Sequence, residues 1–258
     1  NLQSLRVIDE LEERYAEFPG LNLTFETREG ILKHCSLKNA GTLGELGRRF
    51  IDKLQPSLEA QLTNLADEIA YNSHDVDDGL RSGLIDVEAL ADIALFREQY
   101  DSVRNSYPDL APRRTIHEVV RRLIGTQVVD LVETSLARLR QANPEDSDAV
   151  RHHGEPLISF SETMRQKNLE LKRFLRSHLY RHYRVHTMSA TAARTITALF
   201  EAYIDDPRLM PTEAQQQVSQ LEANSGRDGR ARAVADYIAG MTDRYAIAEY
   251  ERTFNPAL

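Results

Sequence analysis

The chain has 258 residues, and 32 Lys and Arg against 40 Asp and Glu give a formal net charge of −8. With 41% hydrophobic and 28% charged residues, the composition excludes a disordered chain and predicts a globular protein with a sizeable core. Because no segment approaches the roughly 20 consecutive apolar residues of a membrane span and no signal-peptide layout precedes the first helix, we expect a cytoplasmic protein without a membrane partner. The single cysteine, Cys35, excludes an internal disulfide and a cysteine-based zinc site.

Apolar residues follow helical spacing along most of the chain, and no alternating pattern with hairpin turns indicates a strand. The sequence therefore predicts an all-α fold, a compact multi-helix bundle with an additional C-terminal helical region. The predicted helices cover residues 4–15, 26–35, 57–82, 86–105, 115–141, 161–182, 190–204, 212–222 and 230–253.

A long helix is predicted after Pro56, with Ser57 as its N-cap and Gly83 as its end. Its apolar residues recur at steps of three and four and so form one stripe. They are Leu58, Leu62, Leu65, Ile69, Val76 and Leu80.

The same helix carries Asp67, Tyr71 and Asp75 at four-residue steps, on a face roughly opposite the apolar stripe. A solvated polar face is one interpretation of this line. The alternative is a line facing a cavity, which nearby alanines favour because they permit close packing on its flanks. Carboxylates suit magnesium, manganese or iron, and a tyrosine offers a flat apolar surface with a hydroxyl at its tip. A metal and a sugar-sized ligand would both fit such a line.

Several longer runs resemble the bacterial deoxynucleoside triphosphate triphosphohydrolases, the dGTPase-like branch of the HD-domain phosphohydrolases. The resemblance covers most of the chain. The runs are FPGLNLTFE at 18–26, EGILKH at 29–34, QPSLEAQ at 55–61, LADEIAY at 65–71, HDVDDGL at 74–80 and DYIAGMTDRYA at 236–246.

This resemblance implies an HD-type helical bundle and a divalent metal held by a histidine, a His-Asp pair and a later aspartate. Asp67 resembles that later aspartate. Tyr71 resembles the tyrosine that packs on the deoxyribose and would clash with a 2′-hydroxyl, and Asp75 resembles the aspartate that bonds the 3′-hydroxyl. The first three metal ligands of the family lie upstream of the point where this chain starts. His34 and His74 match other family positions, so we expect this chain to be the C-terminal part of the enzyme and inactive alone.

Three basic residues are candidates for phosphate binding: Lys33, Arg176 and Arg244. Lys33 lies near the end of the short helix predicted at 26–35, where a positive charge also suits the helix dipole. Arg176 lies in a basic segment that either balances acidic neighbours or recognises a triphosphate, an effector nucleotide or single-stranded DNA. In the same segment His178 and His182 are one helical turn apart and could hold a metal as a pair.

The function that we expect is metal-dependent hydrolysis of dGTP-like deoxynucleoside triphosphates to deoxynucleoside and inorganic triphosphate. Magnesium, manganese, iron or cobalt could serve as the metal. The alternative is a catalytically incomplete helical module that binds nucleotides or single-stranded DNA, or that supports oligomerisation. The family is typically tetrameric or hexameric, and long amphipathic helices also favour a homo-oligomer. We expect residues 1–142 to form the C-terminal part of the HD-type helical domain, including the helix that carries Asp67, Tyr71 and Asp75. We expect residues 143–258 to form a C-terminal helical region packed on that domain.

Overall fold

The computed structural model describes residues 2–255, and within that range the chain forms helices and no strand. The prediction of an all-α bundle is confirmed. A π-helical turn follows α1 at Val7–Leu11 and another follows α10 at Arg176–Tyr180. The α-helices are α1 (Leu2–Arg6), α2 (Phe25–Ile31), α3 (Leu37–Ala40), α4 (Glu45–Ile51), α5 (Leu58–Ser82), α6 (Val87–Leu90), α7 (Ala94–Ser106), α8 (Pro112–Ala142), α9 (Ser147–Arg151), α10 (Glu162–Leu175), α11 (Tyr183–Asp205), α12 (Thr212–Ala239) and α13 (Asp243–Phe254).

Several predicted boundaries differ from the observed ones. The predicted helix at 86–105 is two helices, because Asp86 caps α6 while Ile93 is extended and interrupts the chain before α7. The predicted helix at 230–253 is likewise interrupted, since Gly240 ends α12 and Thr242 caps α13. The first helical segment ends at Leu11 and not near residue 15, because Glu12 is extended.

Helix α5 has the ends that the sequence predicts. The Ser57 hydroxyl accepts a hydrogen bond from the Ala60 amide at 3.2 Å, and Gly83 closes the helix with a φ of 68°. Its stripe is buried at Ile69 and Val76 and packs on the core elsewhere, but Leu62 keeps 47% of its surface exposed. Leu62 shares the predicted stripe but stays exposed, because helical periodicity fixes the direction of a side chain and not whether a neighbour covers it.

The chain divides into two compact units, Asn1–Leu179 and Tyr180–Leu258. The expected boundary between residues 142 and 143 falls inside the first unit, where α10 packs against α5 and α7. The expected division into the end of an HD-type domain and a C-terminal helical region stays a prediction.

The core of the first unit lies between α5, α7, α8 and α10. Phe96 and Leu123 are fully buried there, and burying side chains of this size contributes about 1.5–3 kcal/mol each. A row of buried, hydrogen-bonded amide side chains crosses the same core. The Asn72 amide donates to Asn168 at 3.0 Å, and the Asn168 amide donates to Gln127 at 2.7 Å. Hydrogen bonding of this kind offsets the desolvation of the amides and fixes the register of α5, α8 and α10.

A buried charge cluster connects α2, α4 and α9. The Glu29 side chain is 2% exposed, and its Oε1 lies 2.8 Å from an Arg151 nitrogen and 3.6 Å from Arg49 Nε. Arg49 also donates to the Leu32 carbonyl at 2.8 Å. Burial lowers the pKa of the Arg49 guanidinium, and the Glu29 charge opposes that shift. The cluster holds α2 in place at the side of α5.

The second unit has its own core, in which Tyr203 is fully buried. Within α12, Gly226 adopts φ 59° and ψ −140°, so the chain folds back there, between the helices predicted at 212–222 and 230–253. A Cβ at Gly229 would overlap the Leu221 carbonyl, which shows how closely the two halves of α12 approach.

Among the described helices, none combines the length and the apolar content needed to cross a bilayer.

Candidate functional site

Helix α5 presents Asp67, Tyr71 and Asp75 along one side. Each four-residue step advances about 6 Å and turns about 40°, so the line winds slowly around the helix. The Asp67 side chain is 48% exposed and Tyr71 is 65% exposed, while Asp75 lies nearer the covered side and is half-buried. In the described structure, this line is therefore a surface and not the wall of a closed cavity.

The flanks of the line differ from the expectation. Ala66 and Ala70 are exposed, and of the three alanines weighed for close packing only Ala60 is buried. The close packing expected on both flanks is absent at Ala66 and Ala70, because no described element covers that side of α5. The solvated-face interpretation fits the described residues.

Lys33 lies directly against Asp67. Its Nζ donates to Asp67 Oδ2 at 2.9 Å, from a position just beyond the end of α2. The sequence singled out both residues but did not predict their contact, because 34 positions separate them and no local spacing signals it. Since both groups are partly exposed, the ion pair contributes only about 0–1 kcal/mol. Its importance lies in placing an ammonium group beside the carboxylate.

A cleft of 540 Å³ lies between α2 and the first turns of α5. Lys33 stands at this cleft together with Glu26 and Glu59, and Gly30 leaves room for the approach of Ala60. The volume falls within the range of small-molecule sites. This cleft could not be predicted from the sequence, because it depends on how α2 packs on α5.

The described residues do not form a metal centre by themselves. Nowhere between residues 2 and 255 do three His, Cys, Asp or Glu side chains converge as metal ligands. Asp67 is a single carboxylate, and the nearby cation is an ammonium group, which competes with a metal ion for the same oxygen. The expected divalent metal therefore does not fit these residues alone, and no reaction step through it follows from this chain.

The remaining basic candidates lie in separate places. Arg176 begins the π-helical turn after α10 and is exposed without an ion pair among the described residues, whereas Lys167 and Lys172 pair with Glu98 and Glu68. Part of this basic segment thus balances acidic neighbours.

Arg244 is exposed in the first turn of α13, in the second unit. It has no ion pair among the described residues, and its role in phosphate binding stays a prediction.

The histidine pair considered from the sequence does not share a helix face. The helical run that contains His178 ends at Tyr180, and His182 caps the N-terminus of α11 by accepting a bond from the Arg184 amide. His178 stacks on Phe174, with ring centroids 4.2 Å apart. A break between the two helices removes the one-turn spacing on which the metal pair depended.

The C-terminal part of the chain matches a known domain. Residues 158–252 match the phosphohydrolase-associated domain. The fold and this match define an all-α chain whose C-terminal part is a phosphohydrolase-associated domain.

Relatives with high identity extend the match to nearly the whole chain. Proteins named deoxyguanosinetriphosphate triphosphohydrolase-like from Bordetella pertussis and Thiobacillus denitrificans are each 57% identical over 98% of this chain, and one from Azoarcus sp. BH72 is 51% identical over the same share. Over nearly its whole length the chain is related to these triphosphohydrolase-like proteins. It spans 64% of the length of the Bordetella protein and 65% of the other two.

Proposed function

We propose that this chain contributes to a hydrolase that converts deoxynucleoside triphosphates, dGTP-like ones first, into deoxynucleoside and inorganic triphosphate. In this reaction the bond between the 5′-oxygen and the α-phosphorus breaks, water supplies a hydroxyl group to the phosphorus, and a proton goes to the 5′-oxygen. The single observation that carries the proposal is the Asp67, Tyr71 and Asp75 line on α5, in a chain whose relatives bear the triphosphohydrolase-like name.

The residues of α5 would recognise the sugar. The exposed Tyr71 ring can pack on the flat face of a deoxyribose, where a 2′-hydroxyl would collide with it. One turn further along, the Asp75 carboxylate can accept a hydrogen bond from the 3′-hydroxyl. Both contacts recognise the sugar and not the base, and the Tyr71 contact alone discriminates against a ribose.

Asp67 and Lys33 would act at the phosphate side of the sugar. Asp67 would provide one oxygen ligand to magnesium, manganese, iron or cobalt, with the other ligands coming from residues other than those described. Lys33, within 2.9 Å of that carboxylate, can redirect its ammonium group to a phosphate oxygen. A cytoplasmic location suits a substrate of this kind.

The test uses the full natural protein and measures manganese-dependent release of inorganic triphosphate from the four dNTPs and from GTP. Asp67→Ala should abolish release, and Tyr71→Ala should raise the ratio of GTP to dGTP turnover because the steric block is removed. Asp78→Asn is the matched control, since Asp78 is an exposed carboxylate on α5 outside the line. Undiminished release by Asp67→Ala would refute the assignment.

A second candidate is nucleotide or single-stranded DNA binding without catalysis, favoured by the exposed Arg176 with no ion pair among the described residues. This function predicts binding that weakens with salt and does not require metal. Arg176→Glu should then abolish binding, and binding by the wild type should be equally strong with and without manganese.

A further inference from the structure

Arg49 supports the backbone at the end of α2. Its side chain is 8% exposed, and its Nη2 donates to the Leu32 carbonyl at 2.8 Å and to the Glu29 carbonyl at 3.4 Å. Carbonyl groups at the end of a helix lack the amide partner that a further turn would provide. Since the Leu32 carbonyl belongs to the peptide bond that leads into Lys33, Arg49 fixes the backbone from which the Lys33 side chain extends.

The same short stretch is also held by packing. Leu32 is fully buried and packs in a small core with Leu46. The Lys33 amide donates to the Ile31 carbonyl at 2.9 Å. A lysine side chain is a flexible four-carbon stem, so a fixed backbone limits the region that its ammonium group can reach. That region includes Asp67, whose Oδ2 is 2.9 Å from Lys33 Nζ.

Arg49 can occupy this position because its charge is balanced. Glu29 Oε1 lies 3.6 Å from Arg49 Nε, and Arg151 of α9 donates to the same oxygen at 2.8 Å. The Arg49 guanidinium also lies over the Phe50 ring, 4.1 Å from its centroid. A buried cation without such partners would be strongly unfavourable. The group that holds the Lys33 backbone is therefore itself held in place by a counter-charge and an aromatic ring.

We propose that Arg49 is a positioning residue, which fixes the backbone before Lys33 so that the ammonium group stays beside Asp67 and within reach of a substrate phosphate. Arg49 would not touch the substrate, because it is buried and its Nη2 is bonded to backbone carbonyls. The identity of the phosphate ligand rests on the proposed hydrolase function, whereas the contact between Lys33 and Asp67 is independent of it. Arg49→Lys would keep the charge beside Glu29 but remove the extended guanidinium group that reaches the carbonyls as well.

The first test measures the position of Lys33 without any catalysis. Acetic anhydride modifies accessible amines, and mass spectrometry of the full natural protein gives the acetylation rate at each lysine. An ion-paired ammonium group reacts more slowly, so Arg49→Lys should raise the rate at Lys33 by about two- to fivefold, the factor that an exposed ion pair contributes. Asp67→Asn should give a rise of the same size. Arg48→Lys is the matched control, because Arg48 is the neighbouring arginine of α4 and its side chain is 73% exposed.

Lys172 serves as the reference in the same samples. It lies on α10, and its Nζ is 3.0 Å from Glu68 Oε2, so it also pairs with a carboxylate of α5. Its acetylation rate should stay constant in Arg49→Lys. An unchanged rate at Lys33 would overturn the proposal. An equal rise at Lys33 and Lys172 would overturn it too, because that result indicates a general loosening of the fold.

Steady-state kinetics of triphosphate release from dGTP test the link to the substrate. If Lys33 binds a phosphate equally in the ground state and the transition state, Arg49→Lys should raise KM by about two- to fivefold and leave kcat unchanged. In a Lys33→Met background the same substitution should have no further effect, because Arg49 acts through Lys33. Losses that add in the double variant would indicate a purely structural role and contradict the proposal.

The two tests also separate this inference from the proposed function. A wild type that releases no triphosphate would refute the proposed function, and the acetylation rates would then decide the position of Lys33. Normal release by the wild type, with KM and Lys33 acetylation both unaffected by Arg49→Lys, would refute the role of Arg49 alone. Melting temperatures are measured for every variant, so that all assays are run on folded protein.

Discussion

The buried charge of Glu29 supports the strongest stability prediction. Its carboxylate lies between Arg151, at 2.8 Å, and Arg49, at 3.6 Å, with all three side chains at least 86% buried. Glu29→Gln keeps the size of the side chain and removes only the charge. Two guanidinium groups would then share a buried site without a counter-charge, since arginine stays protonated at neutral pH.

The expected loss follows from the cost of an unpaired buried charge. Removing one partner of a buried ion pair costs about 3–5 kcal/mol. For a unit of this size each kcal/mol lowers the melting temperature by about 2–4 °C, so we expect a decrease of roughly 6–20 °C. Glu26→Gln, an exposed neighbour on α2, should change the melting temperature by less than about 2 °C, because surface substitutions usually stay within 0.5 kcal/mol.

Circular dichroism recorded during thermal unfolding measures the difference in melting temperature between each variant and the wild type. A triple variant, Glu29→Leu with Arg49→Met and Arg151→Met, separates charge from packing, because it removes the unpaired charges altogether. It should regain most of the stability that Glu29→Gln loses. If Glu29→Gln melts within 2 °C of the wild type, or if the triple variant is the least stable of all, the electrostatic reasoning is refuted.

Two further predictions concern the second unit. Gly226→Ala should destabilise the second unit by about 1–3 kcal/mol, because a backbone with φ 59° and ψ −140° is accessible to glycine alone. The control in the same melting assay is Gly154→Ala, because Gly154 has open space for a Cβ and an ordinary φ. Burial and the bond to Glu249 raise the pKa of Tyr203 to about 12, above the value near 10 of an unfolded tyrosine. The unfolded state therefore loses its proton first, and stability should fall between pH 10 and pH 12. Tyr203→Phe should flatten that decline in melts at stepped pH, while the exposed Tyr183→Phe should not.

Local chemistry made the ends of many helices predictable. Ser57 accepts the backbone bond expected of the predicted N-cap, and Asp86 and Ser161, which begin two further predicted helices, accept the equivalent bonds. The interruption between His178 and His182 was not predictable in the same way, because the sequence 161–186 keeps helical composition through it. There the backbone conformation depends on packing, including the stacking of His178 on Phe174.

Contacts between distant positions could not be predicted from spacing. Lys33 meets Asp67, and Arg151 meets Glu29, across 34 and 122 positions respectively. Helical periodicity determines which residues share a face of one helix, but it contains no information on which helix lies opposite. The sequence therefore identified the α5 line and several residues beside it, while the ammonium group next to Asp67 and the adjoining cleft became visible only in the structure.

The way α5 is anchored distinguishes the two residues proposed to bind the sugar from the residue proposed to bind a metal. Ile69 and Val76 fix the helix on the hydrophobic core, and the buried amide of Asn72, next to Tyr71, ties it to α10. A rigid helix therefore holds Tyr71 and Asp75 at a set distance whether or not a metal is bound. Asp67 is different, since its carboxylate already has a cationic partner in Lys33 that a metal would have to displace. Under the proposed function, packing alone would hold the two sugar-binding residues in place, while metal binding would require both additional ligands and a rearrangement at Lys33.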